Sequence, residues 1–427
     1  MIPANTSEPV KNSPLRSFAA PFAKSPAFLF LWLGHLISFL GSSVTMVILP
    51  VLVYSLTGST TTMGFVMAAY MLPNVVMLPV AGHIVDRYDR VKIMMIADLS
   101  RFLIMMTTAG LALSGQLNIP LLFLLVGFYG LLDGLFQPAY SAVRASVFTP
   151  DIRVAANSLT QMTTQTVRLI GPALGGLLIT HWSAGIGFGI DAVTYILSWV
   201  CLVYLRKRMM ARINNDGPVR SAPTAPSNWR EDFKEGFAVL RSHTWLWITI
   251  MAFCFVNICY SGVASVLLPW LFKIHHGWDP YFYGLAVTFS GVGAIAAGLL
   301  FGMRPQWRHR GIMAYGGALL SGIALLGLAF ASTPAAAIAL FAVEGFGIMI
   351  FGLIWEISLQ ELVPEEAFGR VASLDMLGSF ALLPVGFIAV GWLADHIGGV
   401  AAIAIFAGLG MTAIACVLSI PAIRKFQ

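Results

Sequence analysis

The sequence predicts an all-α membrane protein with twelve transmembrane helices in two six-helix bundles related by a pseudo-two-fold axis. Three observations carry that expectation. The chain has 427 residues, 58% hydrophobic and only 10% charged, with a mean hydropathy of +0.82, whereas soluble domains carry about 25% charged residues. Its apolar residues fall in runs long enough to cross a bilayer, which takes about 20 residues each. Its basic residues collect in alternate connectors between those runs.

The runs lie at 27–54, 62–85, 93–114, 119–142, 155–181, 185–205, 243–272, 281–303, 311–331, 335–358, 370–394 and 398–421. The connectors Gly58 to Thr62, Ser114 to Pro120 and Ser332 to Pro334 are only turns, so the helices that they join pack antiparallel. The first run is too long for a signal-peptide core and is expected to be retained. Arg87, Arg90 and Lys92, Arg144 and Arg153, the stretch 206–241, Arg304, Arg308 and Arg310, Arg370, and Arg424 with Lys425 mark one side. Lys273 is the sole clear cation on the other. The positive-inside rule then places both termini and the central loop in the cytoplasm, in an inner (plasma) membrane. This distribution, rather than the net charge of +6, argues against a nucleic-acid partner. Membrane lipid and a monomeric state are expected instead.

Cys201, Cys254, Cys259 and Cys416 all lie inside predicted spans without metal-ligand spacing, so neither metal nor cofactor is expected. No Gly-x-x-x-x-Gly-Lys-[Ser/Thr] loop, zinc-protease motif or nucleophile elbow occurs. An ATP-driven pump and an enzyme are therefore disfavoured.

The organisation follows from the one sizeable break. Residues 1–26 form a cytoplasmic tail, 27–205 the first bundle, 206–242 a basic loop, 243–421 the second bundle and 422–427 a short tail. The loop holds Pro218, Pro223 and Pro226, then Trp229, Phe233, Phe237 and Leu240 at helical spacing, with Asn228 and Glu231 as a capping pair. A short helix on the inner membrane surface is expected, a tether in preference to a regulatory site. The halves echo each other: Pro150 to Leu159 and Pro364 to Leu374 lead into the fifth and eleventh spans, and Pro172 has a counterpart in Pro384. Such repeats let two bundles rock about a site between them.

The connector Gly82-His-Ile-Val-Asp86-Arg87-Tyr-Asp89-Arg90-Val-Lys92 is the most specific local signal. So many ionisable groups must lie at a membrane–water boundary. Its pattern resembles the signature loop between the second and third helices of the major facilitator superfamily. Leu40-Gly-Ser-Ser43, Tyr54 to Ser59, Leu72-Pro73, Asp98-Leu-Ser-Arg101, Ala156-Asn-Ser-Leu159 and Gly171-Pro172-Ala-Leu-Gly175-Gly176 are similar to the bacterial branch that contains the enterobactin exporter and macrolide-efflux proteins. The resemblance implies that Gly82, Asp86, Arg87 and Arg90 belong to the gate, with Asp86 meeting the eleventh span when the cytoplasmic side is closed. It also implies that Gly171, Pro172, Gly175 and Gly176 end an exporter motif, although Val167 and Ser158 stand where further glycines are expected. The second-half counterpart, 302–310, keeps its basic residues but has no acid matching Asp86.

Charges inside spans are the candidates for coupling. Asp133 lies midway along the fourth span and Arg168 midway along the fifth, so they are expected partners. If the pair persists, Asp133 is structural; if it breaks during rocking, Asp133 carries a proton. Glu344 on the tenth span has no basic neighbour at its depth in the second half and is the leading proton-coupling candidate. Glu356 and Asp375 lie near the cytoplasmic ends of their spans and are assigned to inner-gate ion pairs. Asp98 and Arg101 are spaced to pair on one helix face. Asp191 is taken to open the sixth span, and His35 to be a core histidine. The resemblance also implies a cavity lined by the first, fourth, seventh and tenth spans, giving Ser38, Ser42, Tyr129, Gln137, Asn257, Tyr260 and Trp355 as substrate candidates. The expected function is proton-coupled export of an amphipathic small molecule such as a drug, macrolide-like compound or siderophore. An importer or lysolipid flippase on the same scaffold is the alternative, and a non-transporting receptor or assembly factor lacks an output domain.

Overall fold

A computed structural model describes residues 21–149, 151–216, 229–302 and 308–426. Most of the N-terminal tail, Asn228, the segment 303–307 of the second-half loop, and the side chains of Asp86, Trp229, Glu231 and Phe233 lie outside the described residues. Six long helices come first: α1 Pro26–Thr57, α2 Thr60–Arg87, α3 Arg90–Leu113, α4 Ile119–Val147, α5 Arg153–His181 and α6 Ala184–Asp216. The short α7, Trp229–Ser242, precedes α8, Thr244–Gly262, which continues through wide π turns to His275. Then follow α9 Pro280–Gly302, α10 Arg310–Leu328, α11 Pro334–Leu362, α12 Glu365–Phe380, α13 Leu383–Ile397, α14 Gly399–Leu418 and the terminal turn α15 Pro421–Arg424.

Local chemistry sets these limits. Ser59, Asp89, Asn118 and Thr333 each cap the helix that follows by accepting a backbone N–H, which replaces a bond the first turn cannot make internally. Gly58 ends α1 at φ 65°, a left-handed conformation that glycine adopts without a Cβ penalty. The predicted eleventh span is two helices, α12 and α13, separated at Ala381 and Leu382 just before Pro384. Pro384 cannot donate to the ladder and crowds the preceding turn.

Eleven helices among the described residues are long and apolar enough to cross a membrane. The remaining long one, α5, has 29 residues but carries the polar Asn157, Gln161, Gln165 and Arg168 along its length. The packing order explains how it is accommodated. In the first half, neighbours run α2–α4–α3–α6–α1–α5; in the second, α9–α11–α10–α14–α8–α12/α13. The two arcs have the same order and join through α5–α9 and α13–α2, closing a ring. Such a ring is the fold expected of two related bundles.

The surface helix α7 packs on α12: Gly236 sits against Arg370 and Leu374, Glu235 pairs with Arg370 at 2.5 Å, and Leu240 is buried. The expected tether is therefore attached to the second bundle by specific contacts.

Candidate functional site

The halves meet at the end of the ring opposite the basic connectors. There Asp395, at the end of α13, accepts from the first turn of α2 and the residue that caps it. The Ser59 hydroxyl donates at 2.7 Å, the Thr60 hydroxyl at 2.7 Å, and the backbone N–H groups of Thr60 and Thr61 at 3.0 and 2.9 Å. A carboxylate here satisfies orphan donors of the other half and complements the helix dipole. On the opposite seam, Thr180 of α5 donates to Asp279, and the Thr288 hydroxyl donates to the Leu169 carbonyl at 2.6 Å. Tyr54 of α1 donates to the Val266 carbonyl, in the π turn ahead of Pro269 where the regular ladder is interrupted. These bonds between the halves all lie from mid-depth to the end remote from the basic connectors.

Glycines make the closure tight. A Cβ on Gly284 would lie 2.2 Å from the Pro172 carbonyl, and one on Gly64 2.3 Å from that of Phe387. Gly171 and Gly175 face α1, while Gly176 faces Tyr281 of α9. The exporter-like motif thus packs one helix against two neighbours, one in each half, which is the close approach that small residues permit.

Inside the first half, Arg101 organises a polar cluster. It lies 2.9 Å from Asp133 and 3.6 Å from Asp98, and 4.5 Å above the Phe136 ring. Asp133 also accepts from Tyr70 at 2.9 Å and Asn74 at 3.3 Å, and Asp98 accepts from Ser198 at 2.6 Å. The expected Asp133–Arg168 pair is absent, because Arg101, in the middle of α3, is already at the depth of Asp133. Arg168 is exposed and makes no ion pair among the described residues. Asp191 does not open a helix: α6 begins at Ala184, and Asp191 is fully buried, accepting from Thr45 at 2.6 Å and Thr194 at 3.3 Å.

The second half places Glu344 between the corresponding helices. It accepts from Ser290 of α9 at 2.9 Å and from Ser321 of α10 at 3.5 Å, with no cation among the described residues. The backbones press close around it, since a Cβ on Gly345 would meet the Ser290 carbonyl at 1.9 Å. Nearer the basic end, Trp355 donates to Asp375 at 3.1 Å, and Ser379 reaches the same carboxylate at 3.5 Å. Together with Phe253, Asn257 and Phe351 they line a cavity of about 280 Å³. A larger hollow of about 420 Å³, bordered by Lys273, Asp279 and Thr180, belongs to the seam at the far end and has no aromatic wall.

The other sequence candidates scatter. Ser42 and Tyr129 both serve Tyr195, at 2.7 and 2.6 Å, beneath Arg101 in the bundle interior. Ser38 is 4% exposed and donates to the His35 carbonyl of its own helix. Tyr260 is buried and points to Gly322 and Gly410 on α10 and α14. Gln137 is exposed. Glu356 is exposed and accepts from Gln360 at 2.9 Å; neither it nor Asp375 forms the expected ion pair among the described residues. Gly82 and Arg87 end α2 at an exposed surface, Arg90 opens α3, and Asp89 caps α3 while pairing with Arg206 at 3.1 Å. His35 stacks between Phe39 and Tyr140, as a core residue does. The sequence does not single out Asp395, since a lone acid at a span end is ordinary until the helix it caps is known.

Comparison with known proteins identifies the scaffold. The family model described as Major Facilitator Superfamily matches residues 31–382. The MFS-type transporter YfiS of Bacillus subtilis, itself described as uncharacterized, is 28% identical over 362 residues, 82% of each chain. Macrolide efflux protein A of Streptococcus pyogenes is 22% identical over 87% of this chain and 90% of its own. The multidrug efflux pump Tap of Mycolicibacterium fortuitum is 25% identical over 84% and 87%. Among solved structures, a peptide transporter POT in complex with sulfate superposes with TM-score 0.68, 17% identity and coverage of 97% and 99%. A bacterial homologue of the iron transporter ferroportin in an inward-facing state gives 0.66, 15%, 96% and 100%. With its multi-pass helical ring and these relatives, the chain belongs to the Major Facilitator Superfamily of membrane transporters.

Proposed function

We propose that this transporter exports amphipathic small molecules from the cytoplasm in exchange for protons, by alternating access. The observation that carries export is the relationship to Macrolide efflux protein A and Tap over more than four-fifths of the chain. The positive-inside rule assigns the basic end to the cytoplasm of the plasma membrane, and the seam at the opposite end then seals the outside. The ring is closed outward and accessible inward, the state that loads an exporter. Asp395 and Asp279 act as outer latches. Asp86, Arg87 and Arg90 act at the inner gate when the outer latches part.

Glu344 is the proposed proton carrier. A carboxyl held at mid-membrane by two hydroxyls, with no cation beside it among the described residues, can exchange a proton with water when rocking admits it. Asp133 is tied to Arg101 in this state and serves as structure. The aromatic cavity with Trp355, Asn257 and Asp375 suits the apolar body of a cargo. The protein is proposed to act as a monomer in contact with lipid, with α7 as a strap over the second bundle.

Everted membrane vesicles with an imposed pH gradient test this reading against a panel of macrolides, dyes and siderophores. Gradient-dependent accumulation of any of them supports export with proton exchange. Accumulation indifferent to the gradient removes the proton claim, and uptake only in right-side-out vesicles favours the importer.

A further inference from the structure

The polar stripe of α5 is the feature that a proton-coupled cycle leaves unused. Two faces of this helix are exposed, and their chemistry is opposite. Met162, Ile170, Leu174 and Leu177, with Thr166 among them, are exposed on one; Asn157, Gln161 and Arg168 are exposed on the other, about half a turn away at about 3.6 residues per turn. The contacts of α5 fix which is which. Gly171 and Gly175 meet α1, whereas Pro172 and Gly176 meet α9. Arg168 projects between those two neighbours, toward the centre of the ring. The apolar face looks outward to lipid.

Its depth is equally informative. Arg168 lies about 20 Å from either end of α5 at about 1.5 Å per residue, one turn short of the Pro172–Gly284 contact that closes the seam. It therefore stands on the inner side of the ring, just on the basic side of the seam. A cation at mid-membrane needs a partner, and the acids described within the spans are already engaged. Asp133 and Asp98 hold Arg101, Glu344 accepts from Ser290 and Ser321, and Asp375 accepts from Trp355 and Ser379.

We propose that Arg168 binds an anionic group of the cargo, so that the transported class is amphipathic organic anions, including zwitterions that carry such a group. A guanidinium presents a planar fork that fits a carboxylate, phosphate or sulfonate through two parallel bonds. Gln165 and Gln161, one and two turns toward the basic end on the same face, add amide donors along the entry path. The proposal refines the export reading and rests on it for the word cargo, but binding is measured apart from transport, so either can fail alone.

The test uses the purified full chain in lipid nanodiscs and two fluorescent probes with one apolar body and opposite charges, dansylglycine (carboxylate) and dansylcadaverine (ammonium). Wild type is expected to bind dansylglycine, and Arg168→Gln to bind it about tenfold more weakly, the value of one charge-assisted bond. Arg168→Lys, which keeps the charge without the fork, is expected between them, and dansylcadaverine binding is expected not to weaken in Arg168→Gln. Equal dansylglycine affinity in wild type and Arg168→Gln overturns the proposal, as does a wild type that binds neither probe or prefers the cation. If Arg168→Gln does not fold, Arg168→Lys decides: an affinity equal to wild type for both probes counts against recognition by the fork. Loss of vesicle export with these binding differences intact sinks the export reading alone.

Discussion

The two halves hold a carboxylate at corresponding helix junctions and partner it differently. In the first, α2, α3 and α4 surround Asp133 with Tyr70, Asn74 and the guanidinium of Arg101. In the second, α9, α10 and α11 surround Glu344 with Ser290 and Ser321 alone among the described residues. The same topology therefore builds a fixed ion pair once and an uncompensated carboxyl once. A charge locked to its partner resists movement, whereas a carboxyl held by hydroxyls has no such lock. That asymmetry is why the second half is proposed to carry the proton and the first to serve as the rigid body.

Removing the cation should have the largest effect. Arg101→Gln strands Asp98 and Asp133, and the loss of one member of a buried pair costs about 3–5 kcal/mol. Unfolding in mixed micelles should show a strong drop, partly restored by adding Asp98→Asn and Asp133→Asn. An unchanged transition would mean that the cluster is not the anchor of the first half.

The seam tests whether the halves part as bodies. Asp395→Asn keeps the shape but gives up a charged acceptor of several bonds, each worth about 1.5–3 kcal/mol to a charged group. A cysteine at Thr61, in a background lacking the four native cysteines, should then react faster with an impermeant maleimide added outside. No change in rate would argue that the carboxylate is not a latch. Gly284→Ala acts on the other seam. Its Cβ would lie 2.2 Å from the Pro172 carbonyl, and overpacking of this kind costs about 1–3 kcal/mol. A reporter cysteine at Tyr281 should become more reactive, whereas a reactivity like that of the glycine form would show that the seam yields without opening.

The smallest effect on stability is expected at Glu344. The change Glu344→Gln keeps the side-chain volume and one acceptor for Ser290, so unfolding should move by no more than about 1 kcal/mol. A loss as large as that of Arg101→Gln would erase the contrast between the halves.

Much of this architecture is legible in the sequence, because composition, connector length and charge asymmetry are one-dimensional signals. The positions of most helices follow the apolar runs closely, and the break at Ala381 and Leu382 is foreshadowed by Pro384. Pairings are less legible. Arg168 and Asp133 sit at similar depth, but depth along neighbouring chains does not give rotation about the helix axis. In the folded chain α5 leaves Arg168 exposed, while α4 turns Asp133 to Arg101. Tyr260 departs from its expected place for the same reason, facing α10 and α14 instead of the centre. The role of Asp395 is hidden because its partners include backbone N–H groups more than 330 positions away, and backbone donors leave no mark in a sequence.

Proton-driven transport in everted vesicles, comparing wild type with Glu344→Gln at equal amounts of folded protein, tests the account most directly. Wild type should concentrate a transported amphipathic probe when a pH gradient is imposed, and the variant should only equilibrate it. A variant that concentrates the probe as wild type does would contradict the assignment of coupling to the second half.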